Sequence, residues 1–195
     1  MRDGTLLPFR RIEGRAEELS DRALVSALAE GDQAALGALY DRFQRDVYRF
    51  VARLASTDAD DFVQMTFLEA YRSAPRFRGE AAVKTWLFGI AANLVRNHHR
   101  GTQRKQRAHD SLQVMPRRPP TDPGEAITRE QQRRWLARAI ETLTPALREA
   151  YVLCVIEEVP GKEAARALGV REASLYRRLS DARNAIRAAI EELQS

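Results

Sequence analysis

The chain has 195 residues, enough for one large or two small domains. Apolar residues make up 44% and charged residues 30%, so a core can form, and no window approaches the roughly 18 apolar residues of a membrane span. The net charge of +5 suits a nucleic-acid binder, though many other proteins share it.

The N-terminus, "MRDGTLLPFRRIEGR", lacks the apolar run of a signal peptide. Residues 1–19 are expected to be an extension, disordered or regulatory. A single cysteine, Cys154, excludes an internal disulfide and fits a reducing cytoplasm. Its neighbours in "REAYVLCVIEE" predict a small buried hydrophobe.

Helix dominates. Leu24, Val25 and Leu28 predict a short helix ending at Gly31-Asp32. From Ala34 to Ala55 the apolar positions are Leu36, Leu39, Tyr40, Phe43, Val47, Phe50, Val51 and Leu54, as one buried helix face requires. A third helix begins near Asp58 or Asp60, where a carboxylate can cap free N–H groups. It carries Phe62, Val63, Phe67, Leu68 and Tyr71, and Pro75 stops it. A fourth runs from about Val83 to Arg100 and buries Val83, Leu87, Ile90, Ala91 and Leu94.

Composition then shifts. Residues 101–124 hold four of the eight prolines and show no periodicity, which predicts a linker. Beyond it Ile127, Leu136, Ala139, Ile140 and Leu143 begin a second helical set, and Thr144-Pro145 opens a further helix with Leu147, Tyr151, Leu153, Cys154 and Ile156 facing inward. The fold class is therefore all-α: two small helical domains, about 20–100 and 125–195, on a flexible linker.

The stretch "GKEAARALGVREASLYRRLSDAR" reads as two helices. Val159-Pro160-Gly161 stops the preceding helix, and Gly169 serves as the left-handed residue that reverses the chain. A new helix starts near Arg171. Two helices around a short glycine-containing turn make a helix-turn-helix. At ~100° per residue, Leu175, Leu179, Ala182 and Ile186 form an inward stripe. Ser174, Arg177, Ser180, Asp181 and Asn184 face outward. Arg171 and Tyr176 flank that outer arc, and Arg178 and Arg183 stand beside the stripe. The N-terminal part of such a helix enters the major groove, where arginine reads guanine edges and flanking cations grip phosphates. The plainer alternative is a solvated basic face.

Charge is unevenly placed. Residues 96–118 hold seven Arg and Lys against one acid, and residues 162–187 hold seven against three. The run "DADD" at 58–61 is acidic. Two basic zones and one acidic patch imply more than one kind of partner.

Four stretches, in order, resemble the extracytoplasmic-function (ECF) type of bacterial RNA polymerase sigma factor, of the sigma-70 family. "ALYDRFQRDVYRFVARL" resembles the family's first conserved helix pair, and "DADDFVQMTFLEAYR" its polymerase-clamp-binding helix. "RFRGEAAVKTWLFGIAANLVRNHHR" resembles the promoter-melting and −10-recognising segment. The stretch from "LTPALREAYV" to "SDARNAIR" resembles the −35-reading domain.

The resemblance implies core RNA polymerase and promoter DNA as partners, in the cytoplasm and without membrane insertion. It leaves open an anti-sigma protein as a further partner. It implies no cofactor, no metal and no catalysis. For −10 DNA it points to Phe77, Arg78, Lys84, Trp86, Asn93, Arg96 and Asn97, residue types that stack on bases and track phosphates. Trp86, with Val83 and Ile90 beside it, also reads as core. For −35 DNA the residues are Arg171, Ser174, Tyr176, Arg177, Arg178 and Arg183. For polymerase they are Asp58, Asp61, Gln64 and Phe67, with helix capping as the alternative role of the aspartates. Met65 stands where the family commonly has an acid, Ala164 replaces a larger aliphatic, and Pro160-Gly161 stands where a Ser or Thr cap is usual.

Two other readings compete. A helix-turn-helix regulator acting without polymerase would need a sensing or dimerisation domain, yet the N-terminal half carries its own basic-aromatic segment. An enzyme would need a metal, phosphate or nucleophile site. The three histidines, His98, His99 and His109, have no Cys or carboxylate cluster beside them in sequence.

Overall fold

The computed structural model describes residues 18–55, 58–108 and 129–194. Among these every regular element is helical. The elements are α1 (Asp21–Ala29), α2 (Gln33–Leu54), α3 (Ala59–Ser73), a 3₁₀ turn at Ala74–Arg76, α4 (Val83–Ala108), α5 (Arg129–Thr142), α6 (Pro145–Tyr151) continuing as a π turn at Val152–Ile156, α7 (Gly161–Leu168) and α8 (Glu172–Gln194). The predicted extension lies almost wholly outside the described residues.

Local chemistry sets the boundaries. Ser20 caps α1, its hydroxyl accepting from the Ala23 N–H at 3.3 Å. Gly31 takes φ 92°, and the Asp32 carboxylate then accepts from Ala34 N–H at 2.7 Å and Ala35 N–H at 3.3 Å. These bonds satisfy donors that the first turn of α2 leaves open. Asp58 is different. It sits in the left-handed region at φ 62° and its side chain makes no cap hydrogen bond, so the expected capping role does not hold there. Asp60 and Asp61 stand in the first turn of α3, where the helix dipole favours negative charge.

The expected apolar faces are largely the buried ones. Leu39, Phe43, Val47, Phe50, Val51 and Leu54 of α2 pack on Phe62, Val63 and Phe67 of α3 and on Val83, Leu87 and Ala91 of α4. The Phe50 and Phe88 rings stack at 4.4 Å between centroids. Leu68 departs from expectation: it is 55% exposed, because the inward stripe of α3 passes through Phe67 and Ala70 instead. In α4 the fully covered residues include Phe88, Ala92 and Val95, while Ile90 and Leu94 are only partly buried. Helix α4 runs eight residues past Arg100 into the segment expected as linker; the rest of that segment, to residue 124, lies outside the described residues.

In the second unit Ala139, Ile140, Leu143, Tyr151, Leu153, Leu175, Leu179, Ala182 and Ile186 form the core. Ile127 lies outside the described residues. Cys154 is half-buried rather than buried. Arg148 ties the unit together, its guanidinium donating to the carbonyls of Ile140 at 3.0 Å, Leu143 at 3.2 Å and Glu141. It also donates to Leu54 of α2 at 3.3 Å, linking the two units.

Candidate nucleic-acid interface

The first candidate face is built on the loop before α4. Gly79 adopts φ 66°, a conformation costly for other residues. The Arg22 guanidinium donates to the Gly79 carbonyl at 2.8 Å, pinning the loop to α1. Phe77 at the head of this loop meets Trp86 of α4, ring centroids 4.8 Å apart and tilted by 42°. Both rings are partly buried against the core. Trp86 packs on the core and also lines an open groove of about 900 Å³.

That groove collects six of the seven residues expected for −10 DNA: Phe77, Arg78, Trp86, Asn93, Arg96 and Asn97. The steps between Trp86, Asn93, Arg96 and Asn97 keep them on one helix face. Lys84 is not with them. It points across the helix, where its ammonium lies 3.1 Å from the Asp46 carboxylate and 3.6 Å from Glu157. Burial pushes the Asp46 carboxyl up, but hydrogen bonds and charge from Lys84 and Arg49 outweigh it and hold the group below its ordinary value. Arg96 has one foot outside the groove. Its Nε and Nη2 donate to the two carboxylate oxygens of Glu149 at 3.1 and 2.7 Å, a fork-on-carboxylate pair.

The second face is the outer side of α8. Gly169 takes φ 66° and ψ 36°, as the turn reading requires. Its N–H bonds the Arg166 carbonyl at 3.0 Å, and the Val170 N–H bonds the Ala165 carbonyl at 2.9 Å. This is a Schellman closure of α7. The inward stripe Leu175, Leu179, Ala182, Ile186 is buried. Arg171, Ser174, Arg177 and Arg183 are exposed, Arg178 is half-buried, and Tyr176 is 56% exposed. Arg183 stands apart from the N-terminal cluster, flanking Tyr151 and Ile186. It is also near Cys154. Burial pushes the Cys154 thiol up, and the Arg183 charge partly opposes it.

On α3 the residues expected for polymerase divide. Asp58, Asp61 and Gln64 are exposed. Phe67 is not a surface group: it is 3% exposed and meets the Tyr40 ring edge-on at 5.0 Å. It supports the face from beneath. The apolar members of that face are instead Met65, 46% exposed, and Leu68. Residues 61, 64, 65 and 68 follow helical spacing, so the signal was present in the sequence, though masked by the assumption that leucine turns inward.

Sequence reasoning missed Glu149, Glu157 and Gly89. Glu149 is 2% exposed and Gly89 is buried. A lone acid in a helix ordinarily reads as solvated, and nothing in its spacing announces a partner far along the chain.

Comparison with known proteins shows the family of the two units. The family described as Sigma-70 region 2 matches residues 39–105, and Sigma-70, region 4 matches residues 133–186. The ECF RNA polymerase sigma-E factors of Escherichia coli K12 and Salmonella typhimurium LT2 are each 30% identical over 187 residues, covering 91% of this chain and 98% of theirs. The Haemophilus influenzae sigma-E factor is 41% identical over 98 residues, half of this chain and 52% of its own. Among solved structures, CnrH in complex with the cytosolic domain of CnrY aligns with TM-score 0.62 at 26% identity, over 88% of this chain and 97% of that one. The Bartonella quintana sigma factor RpoE, solved with the anti-sigma factor NepR, shares the fold with TM-score 0.61 at 22% identity, over 78% of this chain and 94% of its own.

The two helical units and these matches define a promoter-directed transcription initiation factor. The chain belongs to the ECF sigma factors of the sigma-70 family.

Proposed function

We propose that the two faces divide promoter recognition between them. The unit at about 20–108 takes the −10 element as an opened strand, and the unit at 129–195 reads the −35 element through α8. The observation that carries the first half is the convergence of Phe77, Trp86, Arg78, Asn93 and Asn97 on one open groove. Aromatic faces, amides and cations within reach of each other are what an unpaired base and its phosphates need. For the second half, Arg171, Ser174, Tyr176 and Arg177 lie exposed on the N-terminal portion of α8, the part that enters a major groove.

Core RNA polymerase fixes the spacing of these faces, and α3 meets it through Asp58, Asp61 and Gln64 with Met65 and Leu68 beside them. The protein acts in this complex as a cytoplasmic, non-catalytic subunit. No helix among the described residues is long and apolar enough to cross a membrane. An anti-sigma factor is a further partner, as NepR is for the Bartonella quintana RpoE.

Run-off transcription with core polymerase and genomic DNA tests the reading. Start sites should share two elements, and Asn93→Ala or Trp86→Ala should lower promoter opening while Arg177→Ala changes the −35 preference. Promoter opening by the protein without core enzyme would sink it.

A further inference from the structure

The groove assigned to the −10 strand depends on a loop that its own residues leave underdetermined. Residues 77–82 join the 3₁₀ turn to α4, and Phe77, Arg78, Glu80 and Ala81 line the groove. Gly79 sits in their midst at φ 66°. Glycine takes positive and negative φ about equally well, so the residue by itself does not fix this conformation. A rotation at Gly79 re-aims the groove-lining residues on both sides of it.

A contact from outside the loop has to select one arrangement. Among the described residues of the N-terminal unit, Arg22 makes it. Its Nη2 donates to the Gly79 carbonyl at 2.8 Å. The guanidinium carbon lies 3.7 Å from where a β-carbon on Gly79 would stand. Arg22 itself stands on a fixed base. It is the second residue of α1, whose Leu24, Val25 and Leu28 are buried. On either side of the Ser20 cap, Arg42 of α2 donates to the Leu19 carbonyl at 3.0 Å and the Asp21 carboxylate at 2.6 Å. Two further side chains reach the loop from α7: Arg166 donates to the Glu80 carbonyl at 3.3 Å, and Glu163 accepts from the Ala82 N–H at 3.4 Å. Those belong to the other unit and leave the loop when the units part. Arg22 stays with it.

We propose that Arg22, which does not line the groove, is a positioning residue for −10 recognition: by holding the Gly79 carbonyl it selects the loop conformation in which Phe77, Arg78, Glu80 and Ala81 share one groove. The inference rests on the −10 reading of that groove. Without the bond, part of the free energy of strand binding goes into choosing the loop conformation. The loss falls hardest on the preferred −10 sequence, because that sequence is the one fitted to the selected loop.

Promoter opening on a library of −10 variants, by core polymerase with the full-length chain, tests the proposal. Arg22→Ala should narrow the ratio of opening rates between preferred and altered −10 sequences by about three- to tenfold. Its −35 preference and salt slope should match the wild type. Arg22→Lys, which keeps a donor, should retain most of the discrimination. Gly79→Ala strains the loop while leaving the Arg22 charge in place, and should shift the −10 preference in the same direction. The double variant should lose no more than the larger single loss, since both act on one conformation. A uniform loss on every −10 sequence with a salt slope lower by about one ion would show that Arg22 grips a phosphate directly, and would overturn the positioning role. Unchanged discrimination in Arg22→Ala, or additive losses in the double variant, would overturn it too. If Trp86→Ala and Asn93→Ala also leave the −10 preference unchanged, the −10 reading itself fails. If they lose it while Arg22→Ala keeps it, only the positioning role fails.

Discussion

The Tyr176 side chain of α8 lies over the Cα of Gly161 at the start of α7, so that a β-carbon on residue 161 would overlap the tyrosine hydroxyl. The first helix of the helix-turn-helix thereby sets the posture of a side chain on the second. Glycine at 161, in the Pro160-Gly161 pair that stands where a Ser or Thr cap is usual in the family, is what leaves room for the ring.

Gly161→Ala should therefore act on recognition more than on stability. Tyr176 is more than half exposed, so its far end can swing clear of the new methyl. The expected change in unfolding free energy is within about 0.5 kcal/mol, as for a surface substitution. The −35 preference should move in the same direction as in Tyr176→Ala. Holoenzyme binding to a −35 variant library, alongside thermal melts of the free protein, checks both; an unchanged preference with a large loss of stability would refute it.

Arg177 and Arg178 should separate specificity from grip. Arg177 is exposed on the outer face and Arg178 is half-buried beside the apolar stripe. Arg177→Ala should lose about 1–3 kcal/mol on one preferred −35 sequence and relax discrimination at one or two positions. Arg178→Ala should weaken all −35 sequences about equally and reduce the salt slope by about one ion. Binding measured at two salt concentrations distinguishes them.

Acid should destabilise the protein partly through Asp46. Its carboxyl is held below its ordinary value, so the folded state binds fewer protons there than the unfolded chain. The stabilisation is present above the ordinary carboxyl value and is lost as pH falls through the lower folded value. Denaturant melts from neutral pH down through that range should show Asp46→Asn less sensitive to acid than the wild type. Parallel pH curves for the two would contradict the assignment.

Cys154 should be a slow nucleophile. Its thiol is raised by burial, with Arg183 opposing that rise. Alkylation by iodoacetamide at about pH 8 should be slower than for a free thiol of ordinary pKa near 8.5, and Arg183→Ala should slow it further. A faster reaction in Arg183→Ala would show that access, not charge, limits the rate.

The amino-acid sequence by itself determined the helices, their inward stripes and the helix-turn-helix, because each depends on residues within one or two turns of each other. The apolar steps of α2, the Asp32 cap and the reversal at Gly169 are of this local kind. It also placed Phe77, Trp86, Asn93, Arg96 and Asn97 close enough in the chain to share a face. Tertiary structure alone decided which cations remain open. Arg96 meets Glu149 across 53 residues of chain, and Arg53 meets Glu157 across 104. No helical period encodes such a pairing. The same holds for Gly89, an ordinary weak point in a helix when read locally, at roughly 1 kcal/mol against alanine. It becomes the site of closest approach only when α7 is laid against α4, since two backbones can meet there solely where no side chain intervenes. Phe67 went inward and Leu68 outward for a related reason: neighbouring apolar residues both fit the helix, and the packing of α3 on its neighbours decided which one the core received.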